Sequence, residues 1–284
     1  MSDRWSALAE LVFENLDGEL VVDLERIQVS WDYSDALRVT AGRVHNPLIR
    51  WNVTQHHGLY VQTTIDKPAI SNWEDEPGLW PVHLVGVSVS GRAPGLAGLS
   101  YYAAVANGRG TSLDEIQMSA DANGSKALVA SVTFAPAMLR GAELGGAWYR
   151  DRIPAPDGEI RESDYTLSFV YERNNVEVRT EWARMTHTPV ATSIDHRTSG
   201  WYVLGAWSPP GVHSNIKPYV LLDRLDVDKG ETYLENAPDV SAWAAGVRWD
   251  VSRHVALKTD YRSERLGDDE RSGAVRIQLA LSFQ

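Results

Sequence analysis

The stretch Ser272-Gly-Ala-Val-Arg-Ile-Gln-Leu-Ala-Leu-Ser-Phe283 near the end of the chain decides the fold class. Apolar side chains occupy every second position from Val275 to Phe283, and polar or small side chains fill the positions between them. A β-strand with this alternation shows one apolar and one polar face. Such a strand belongs either to a membrane barrel, with lipid outside and a wet lumen inside, or to a soluble sheet that covers a core.

The same alternation recurs along the 284 residues of the chain. Most of the alternating segments are 9–13 residues long, which suits tilted membrane strands of about 9–11 residues better than globular strands of about 5–6. The period-two pattern and its bounding turn residues predict fourteen strands. They cover residues 5–16, 19–32, 36–44, 82–92, 98–107, 124–135, 139–150, 161–172, 176–187, 199–208, 217–227, 240–250, 254–265 and 273–283.

The connectors between these segments alternate in length. Short connectors such as 33–36 and 173–175 take turns with long ones such as 45–81, 108–123 and 151–160. Tight turns at one end and larger loops at the other are typical of outer-membrane barrels, whereas a soluble sandwich has no reason to sort its loops this way. The pattern predicts an all-β, antiparallel, up-and-down transmembrane β-barrel that forms a single domain.

Composition agrees with this fold class and limits the alternatives. The chain has 11 Trp and 11 Tyr but only 4 Phe, and rings with a polar edge settle at the two lipid–water interfaces. No apolar run reaches the 18 residues of a transmembrane helix. The absence of cysteine excludes disulfides and thiolate metal sites, and a net charge of −11 argues against nucleic-acid binding. We expect no cofactor and no metal site.

The first residues, Met1-Ser-Asp-Arg-Trp5, have no apolar stretch of the kind found in signal peptides. They resemble the short turns that enter other predicted strands. We therefore expect the export signal and one further hairpin to lie upstream of Met1, which would raise the number of strands from fourteen to sixteen.

Two neighbouring stretches, 37–52 and 55–68, resemble the phosphate-selective porin family and related porin-like barrels. The resemblance covers about thirty residues of close motif. It implies a porin fold in the bacterial outer membrane, passive diffusion of small hydrophilic solutes or ions, and a homotrimer, as in several family members. The matching positions are Gly42, Arg43, Pro47, Trp51, Asn52, His56, His57, Gly58, Gln62, Thr63 and Pro68.

The chain departs from that family in its charges. Phosphate selectivity there rests on lysine clusters in the pore, whereas the expected inward positions here, when Glu10, Glu14 and Asp23 are counted with the residues named below, carry seven acids and seven bases. Opposed charges can form a transverse field that orients solutes, or they can simply pair with one another. We predict a weakly selective pore. The predicted pore-lining residues are Arg26, Arg38, Glu143, Glu177, Arg179, Glu181, Arg248, Lys258, Asp260, Arg262 and Arg276.

The connector 45–81 is predicted to be a long extracellular or pore-folded loop. A connector of this length is usually functional, and Trp51, Trp73 and Trp80 give it a packed body. We expect it to narrow the pore, with His56 and His57 in a structural role and not as metal ligands. Its motif residues are Arg43, Trp51, Asn52, His56 and His57.

Three alternatives to a passive, non-enzymatic channel stay open at this point. The stretch from Asp195 through His196 to Ser199 faintly resembles the His-x-Ser of an outer-membrane phospholipase, although the spacing differs. A second alternative is a structural barrel plugged by segment 45–81. The third is a soluble β protein, which would fold without detergent.

Overall fold

The computed structural model describes residues 4–16, 19–55, 60–72, 78–113, 124–211 and 214–282. Within these residues, no helix is long and apolar enough to cross a membrane.

Fourteen strands form one antiparallel sheet in which each strand pairs with its neighbour in the sequence. This confirms the predicted all-β up-and-down barrel. Among the described residues no ladder joins β14 to β1, so the barrel wall has a seam between its first and last strands. The strands are β1 (Trp5–Leu16), β2 (Glu19–Ser34), β3 (Leu37–His45), β4 (His83–Arg92), β5 (Leu99–Asn107), β6 (Lys126–Phe134), β7 (Ala142–Ala155), β8 (Gly158–Arg173), β9 (Val176–Pro189), β10 (His196–Trp207), β11 (Ile216–Asp226), β12 (Val240–Ser252), β13 (Val255–Leu266) and β14 (Ser272–Leu281).

The two faces of the sheet have opposite chemistry. In β14, Val275, Ile277 and Leu279 are 74%, 75% and 61% exposed. In β9, the charged side chains of Arg179 and Glu181 are only 8% and 1% exposed. A soluble sheet buries its apolar face, so the wall of this protein is inverted. We call the face with the exposed apolar rows the outer face and the opposite one the inner face.

A β-bulge in β2 keeps the apolar residues on the outer face. Glu10 pairs with Arg26 and Leu11 pairs with Leu24, which leaves Glu25 as an extra residue. The alternation of the sequence changes parity at this position, as an inserted residue requires. Apolar residues on both sides of the bulge therefore remain exposed on the outer face.

The described part of the connector from β3 to β4 lies against the inner face. We call these residues, 46–55, 60–72 and 78–82, the inner segment; they include a short helix, α1 (Arg50–Gln55), and a 3-10 turn (Ala69–Ser71). Its apolar side chains form one buried cluster with inner-face residues of β4 to β12. The side chains that are at most 2% exposed include Leu48, Trp51, Ile70, Leu79 and Trp80.

The predicted long connector 151–160 is wrong. Strand β7 continues to Ala155 and β8 begins at Gly158, so a two-residue turn joins them. The regular exchange of buried and exposed side chains continues to Ile153 in β7. The predicted strand ends too early because the exposed positions there are Arg150 and Arg152, and charged residues at a strand end are also typical of a loop.

Candidate functional site

The eleven predicted pore-lining residues differ widely in exposure. Six of them are at most 8% exposed as whole residues: Glu177, Arg179, Glu181, Arg248, Lys258 and Asp260. The side chains of Arg262, Arg276, Arg26, Glu143 and Arg38 are 10%, 23%, 29%, 29% and 52% exposed. The contacts of the two groups show what each can do.

Glu181 of β9 holds the start of helix α1. Its Oε1 atom accepts a hydrogen bond from the backbone N–H of Arg50 at 2.5 Å, and Oε2 accepts one from the N–H of Trp51 at 3.3 Å. The indole of Trp51 packs edge-on against the ring of Tyr202, with the centroids 5.5 Å apart. A charged acceptor and an aromatic contact therefore fix this end of the inner segment to β9 and β10.

Glu177, four residues earlier on the same face, binds a second point of the inner segment. Its Oε2 accepts the hydroxyl proton of Thr63 at 2.6 Å, and Lys217 Nζ lies 3.2 Å from the same atom. Arg179 Nε donates to Glu177 Oε1 at 2.7 Å. The charge of this buried carboxylate is thus balanced by two cations.

Two cations on β12 and β13 hold backbone carbonyls of the inner segment. Arg248 Nη1 donates to the carbonyls of Tyr60 at 2.6 Å and of Gln62 at 2.9 Å. Lys258 Nζ donates to the carbonyl of Thr64 at 2.9 Å. Since Lys258 is fully buried, this carbonyl replaces water around its ammonium group.

Asp66 connects the inner segment to the last two strands. Arg276 Nη1 makes a short contact with Asp66 Oδ2, and Arg262 Nε lies 3.4 Å from the same oxygen. Arg276 Nη2 and the hydroxyl of Tyr219 both donate to Asp260 Oδ2 at 2.8 Å. The inner segment is therefore bound to wall strands from β9 to β14.

The partly exposed charges form separate, one-to-one pairs. The closest N–O distances are 2.6 Å for Arg26 with Glu10, 2.5 Å for Arg38 with Asp32 and 2.5 Å for Arg50 with Glu143. The Arg38 pair borders a polar cavity of about 700 Å³, next to the short turns that join β2 to β3 and β4 to β5. Each pair is accessible to water and has no net charge.

The motif residues of the connector fix its two ends. Asn52 Nδ2 donates to the carbonyls of Asn46 at 3.0 Å and of Val82 at 2.9 Å, which closes the base of the inner segment. Arg43 Nε donates to the carbonyl of Glu25 at 3.0 Å. Trp51 contributes the aromatic contact described above, and His56 and His57 lie outside the described residues.

One group of side chains has the composition of a metal site. The potential ligand atoms of Glu25, His45 and His83 lie within 4.8 Å of one another. However, Arg43 Nη2 lies 3.2 Å from His83 Nδ1, and His83 Nε2 lies 2.8 Å from Glu25 Oε2. A guanidinium can only donate hydrogen bonds, so His83 Nδ1 accepts one from Arg43, and the N–H of His83 Nε2 faces the Glu25 carboxylate. This arrangement serves as a hydrogen-bonded network without a metal.

A second buried network, which the sequence did not reveal, joins two connectors to the wall. Arg109 Nη2 donates to Glu162 Oε1 at 2.5 Å, with both side chains fully buried. His187 Nδ1 lies 2.9 Å from Glu231 Oε1. Burial raises the pKa of Tyr233 to about 12, so its hydroxyl stays protonated and donates to a carbonyl of the connector after β5. These partners lie far apart in sequence, and no local pattern marks them.

The residues of the possible phospholipase motif do not come together. In β10, His196 and Thr198 share the inner face, whereas Ser199 lies on the opposite face with exposed Trp201. His196 Nδ1 instead lies 3.3 Å from Asp228 Oδ1. Residues three apart in a strand point in opposite directions, so this strand cannot present the two side chains as a catalytic pair.

Solved structures that resemble this chain include outer-membrane porins and channels. An anion-selective porin from Comamonas acidovorans superposes with a TM-score of 0.68 at 12% identity, covering 99% of this chain and 82% of that one. The outer-membrane channel DcaP of Acinetobacter baumannii gives 0.65 at 10% identity, covering 98% and 80%. A trimer form of OmpT, an outer-membrane protein of Vibrio cholerae, gives 0.52 at 10% identity, covering 97% and 100%.

No protein-family model and no curated protein matches the sequence. The structural likeness therefore concerns the fold. The chain has the β-barrel fold of outer-membrane porins.

Proposed function

We propose that this protein is a passive diffusion channel for small hydrophilic solutes or ions in a bacterial outer membrane. The observation that carries the proposal is the inverted wall, with exposed valine, leucine and isoleucine rows on the outer face and charged rows on the inner face. An apolar outer face matches lipid, and a polar inner face replaces the hydration shell of a passing solute. Diffusion of this kind needs neither a cofactor nor a catalytic residue.

The proposed solute path follows the part of the inner face that water reaches. Three of the predicted pore-lining residues, Arg26, Arg38 and Glu143, are substantially exposed and are not among the residues that bind Asp66. The buried members of the set instead hold the inner segment against β9 to β14. In this proposal, the inner segment fills one side of the bore and thereby sets its width.

Weak selectivity is the second part of the proposal. The three exposed pairs cancel their own charge, which leaves little fixed charge along the path. The net charge of −11 attracts cations to the mouths of the channel and adds a small cation preference. Membership of the phosphate-selective porin family rests on the motif around Trp51 and Asn52, and the paired charges favour a member without strong anion preference.

A plugged structural barrel is the second candidate. The hydrogen bonds that hold the inner segment and the apolar cluster beneath it favour this alternative, because together they fill much of the bore. We favour the open channel because the Arg26 and Arg38 pairs are partly exposed and a polar cavity of about 700 Å³ borders the Arg38 pair.

The proposed partners are outer-membrane lipid around the outer face and, as in the trimer form of OmpT, two further copies of the chain.

Conductance across a planar lipid bilayer tests the channel directly. The full chain, refolded in detergent and added to the bilayer, should give stepwise ohmic currents. With a potassium chloride gradient, the reversal potential should lie near zero and shift slightly toward the potassium potential. A folded protein that inserts but gives no current at any voltage would establish the plugged barrel instead. A reversal potential close to the chloride potential would refute the selectivity.

A further inference from the structure

Arginines cluster on the outer face of four neighbouring strands, β7 to β10. All five are exposed; Arg152 and Arg161 pair beside the turn between β7 and β8, and the other three lie farther from it along the strands. Glu159 pairs with one of them at 3.5 Å and Asp195 with another at 3.2 Å. The cluster is therefore basic on a chain whose net charge is −11. We call it the arginine patch; its members are Arg150, Arg152, Arg161, Arg184 and Arg197.

Within the part of the chain that the structure describes, three members of the arginine patch have no carboxylate partner. Among the described residues, no ion pair within 4 Å involves Arg150, Arg161 or Arg184. The guanidinium of Arg184 lies over the ring of Trp182, 5.2 Å from its centroid. That contact orients the group and leaves its N–H donors unused.

A row of aromatic side chains borders the arginine patch on the same face. Trp148 pairs across the strands with Tyr165, and Trp182 pairs with Trp201. Arg150 follows Trp148 by two residues and lies one outer-face position beyond the row, whereas Arg184 follows Trp182 by two residues and pairs with Tyr165. Tryptophan and tyrosine mark the boundary between hydrocarbon and head groups. The arginine patch therefore lies at the depth of lipid head groups.

A groove crosses the outer face next to these residues. It has a volume of about 930 Å³, and two members of the arginine patch, Arg184 and Arg197, line one end of it. The small residues Ala130 and Gly146 form its floor, beside the larger Val132 and Leu167. An apolar channel that ends at unpaired cations has the form of a lipid, with an acyl chain and an anionic head.

We propose that the outer face of β6 to β10 binds a lipid with phosphate groups in its head, the acyl chain in the groove and the phosphates on the arginine patch. Arg150, Arg161 and Arg184 supply forked N–H donors that match phosphate oxygens. This inference rests on the proposed function, because it needs the outer face to meet a membrane. A second copy of this chain fits the arginine patch less well, because that copy would need an acidic face at the same depth in the membrane.

The test uses the full chain in detergent micelles that contain bisphosphorylated lipid A, with bound lipid counted by native mass spectrometry. We expect the triple variant R150Q/R161Q/R184Q to bind this lipid roughly a hundred-fold more weakly, from about five-fold per charge removed. The matched control is R140Q/R173Q/R253Q, which removes three exposed arginines near the short turns and should bind as the parent does. Gly146→Leu should also weaken binding, because its side chain fills the groove. A Cβ at this position meets its nearest neighbours at an ordinary 3.6 Å.

Several results would overturn the proposal. One is equal lipid binding by the triple variant and its control. Another is loss of bound lipid A on addition of millimolar inorganic phosphate, which would show a site for the free ion. A third is a change in the number of associated chains in the triple variant, which would show that the arginine patch contacts another copy. Conductance of the same variants separates this inference from the channel, since the outer-face substitutions should leave the current unchanged.

Discussion

At the residue scale, a glycine permits the closest approach between the inner segment and the wall. A Cβ built on Gly200 of β10 would lie 2.4 Å from Ile70 Cγ2 and 2.9 Å from the carbonyl oxygen of Arg224. Both distances are shorter than a van der Waals contact. The 3-10 turn can lie against β10 because this position has no side chain.

Gly200→Ala should therefore displace the 3-10 turn. We expect a loss of about 1–3 kcal/mol in the free energy of unfolding, as for overpacked cores, and larger or noisier single-channel currents. Urea unfolding in micelles and bilayer recordings measure the two effects. Gly205→Ala is the matched control on the same strand, since nothing lies within 4 Å of its Cβ. Equal stability of the two variants would show that the contact does not hold the inner segment.

The exposed ion pairs give a prediction on selectivity. Replacing Arg26 and Arg38 by glutamine leaves Glu10 and Asp32 without compensation, so the pore should become clearly cation-preferring. The opposite pair of substitutions, Glu10→Gln with Asp32→Asn, should shift the reversal potential toward chloride. If neither variant moves the reversal potential, the solute path does not pass these pairs.

At the scale of elements, the inner segment determines the width of the proposed channel. His45 and His83 face each other across β3 and β4, so a short turn can join the strands when residues 47–80 are replaced by a few glycines and serines. We expect a several-fold rise in conductance and passage of larger uncharged polymers. We also expect lower stability, because Leu48, Trp51 and Ile70 leave the buried cluster. An unchanged conductance would mean that another element limits the flow.

A pH dependence belongs to the connector between β11 and β12. Burial raises the pKa of Asp228, but hydrogen bonds from the backbone N–H groups of Gly230 and Arg197, with His196 nearby, bring it below its ordinary value. A carboxylate with a lowered pKa in the folded state stabilises it above the unfolded pKa of about 3.9, and this contribution is lost as the pH falls further.

The protection of backbone amides in residues 227–239, measured relative to the intrinsic exchange rate at each pH, should therefore fall below about pH 4. In Asp228→Asn this acid-induced step should be absent, and exchange should be fast already at neutral pH. Protection that persists in the variant at neutral pH would show that Asp228 does not hold the connector.

The sequence predicted the strands because alternation is a local property. The fourteen strands and the parity change at Glu25 follow from neighbouring residues alone. The contacts of the inner segment could not be predicted in this way, since Glu181 meets Arg50 across 131 positions and Lys258 meets Thr64 across 194. Alternation places a charge on the inner face, but it does not tell whether water or another segment covers it. For this reason two inner-face cations differ: the side chain of Arg38 is 52% exposed, whereas Lys258 as a whole residue is 0% exposed.

At the scale of the whole molecule, the barrel is a wall with reversed polarity. The inner segment supplies a packed interior against the inner face, and partly exposed ion pairs supply polar surface beside it. The outer face has no protein cover among the described residues and exposes apolar rows on every strand pair from β1 to β14. A wall of this kind is stable only where its outer face is out of water.

Accessibility of single cysteines tests this arrangement most directly, because the chain has no cysteine of its own. The positions are Val29 and Ile277 on the outer face and Gln28 and Gln278 on the inner face, each labelled in protein reconstituted into lipid vesicles. Fluorophores at Val29 and Ile277 should be quenched by spin-labelled lipid chains, and cysteines at Gln28 and Gln278 should react with a charged, water-soluble thiol reagent. The reverse pattern, or equal reaction at neighbouring positions, would contradict an apolar exterior around a polar bore.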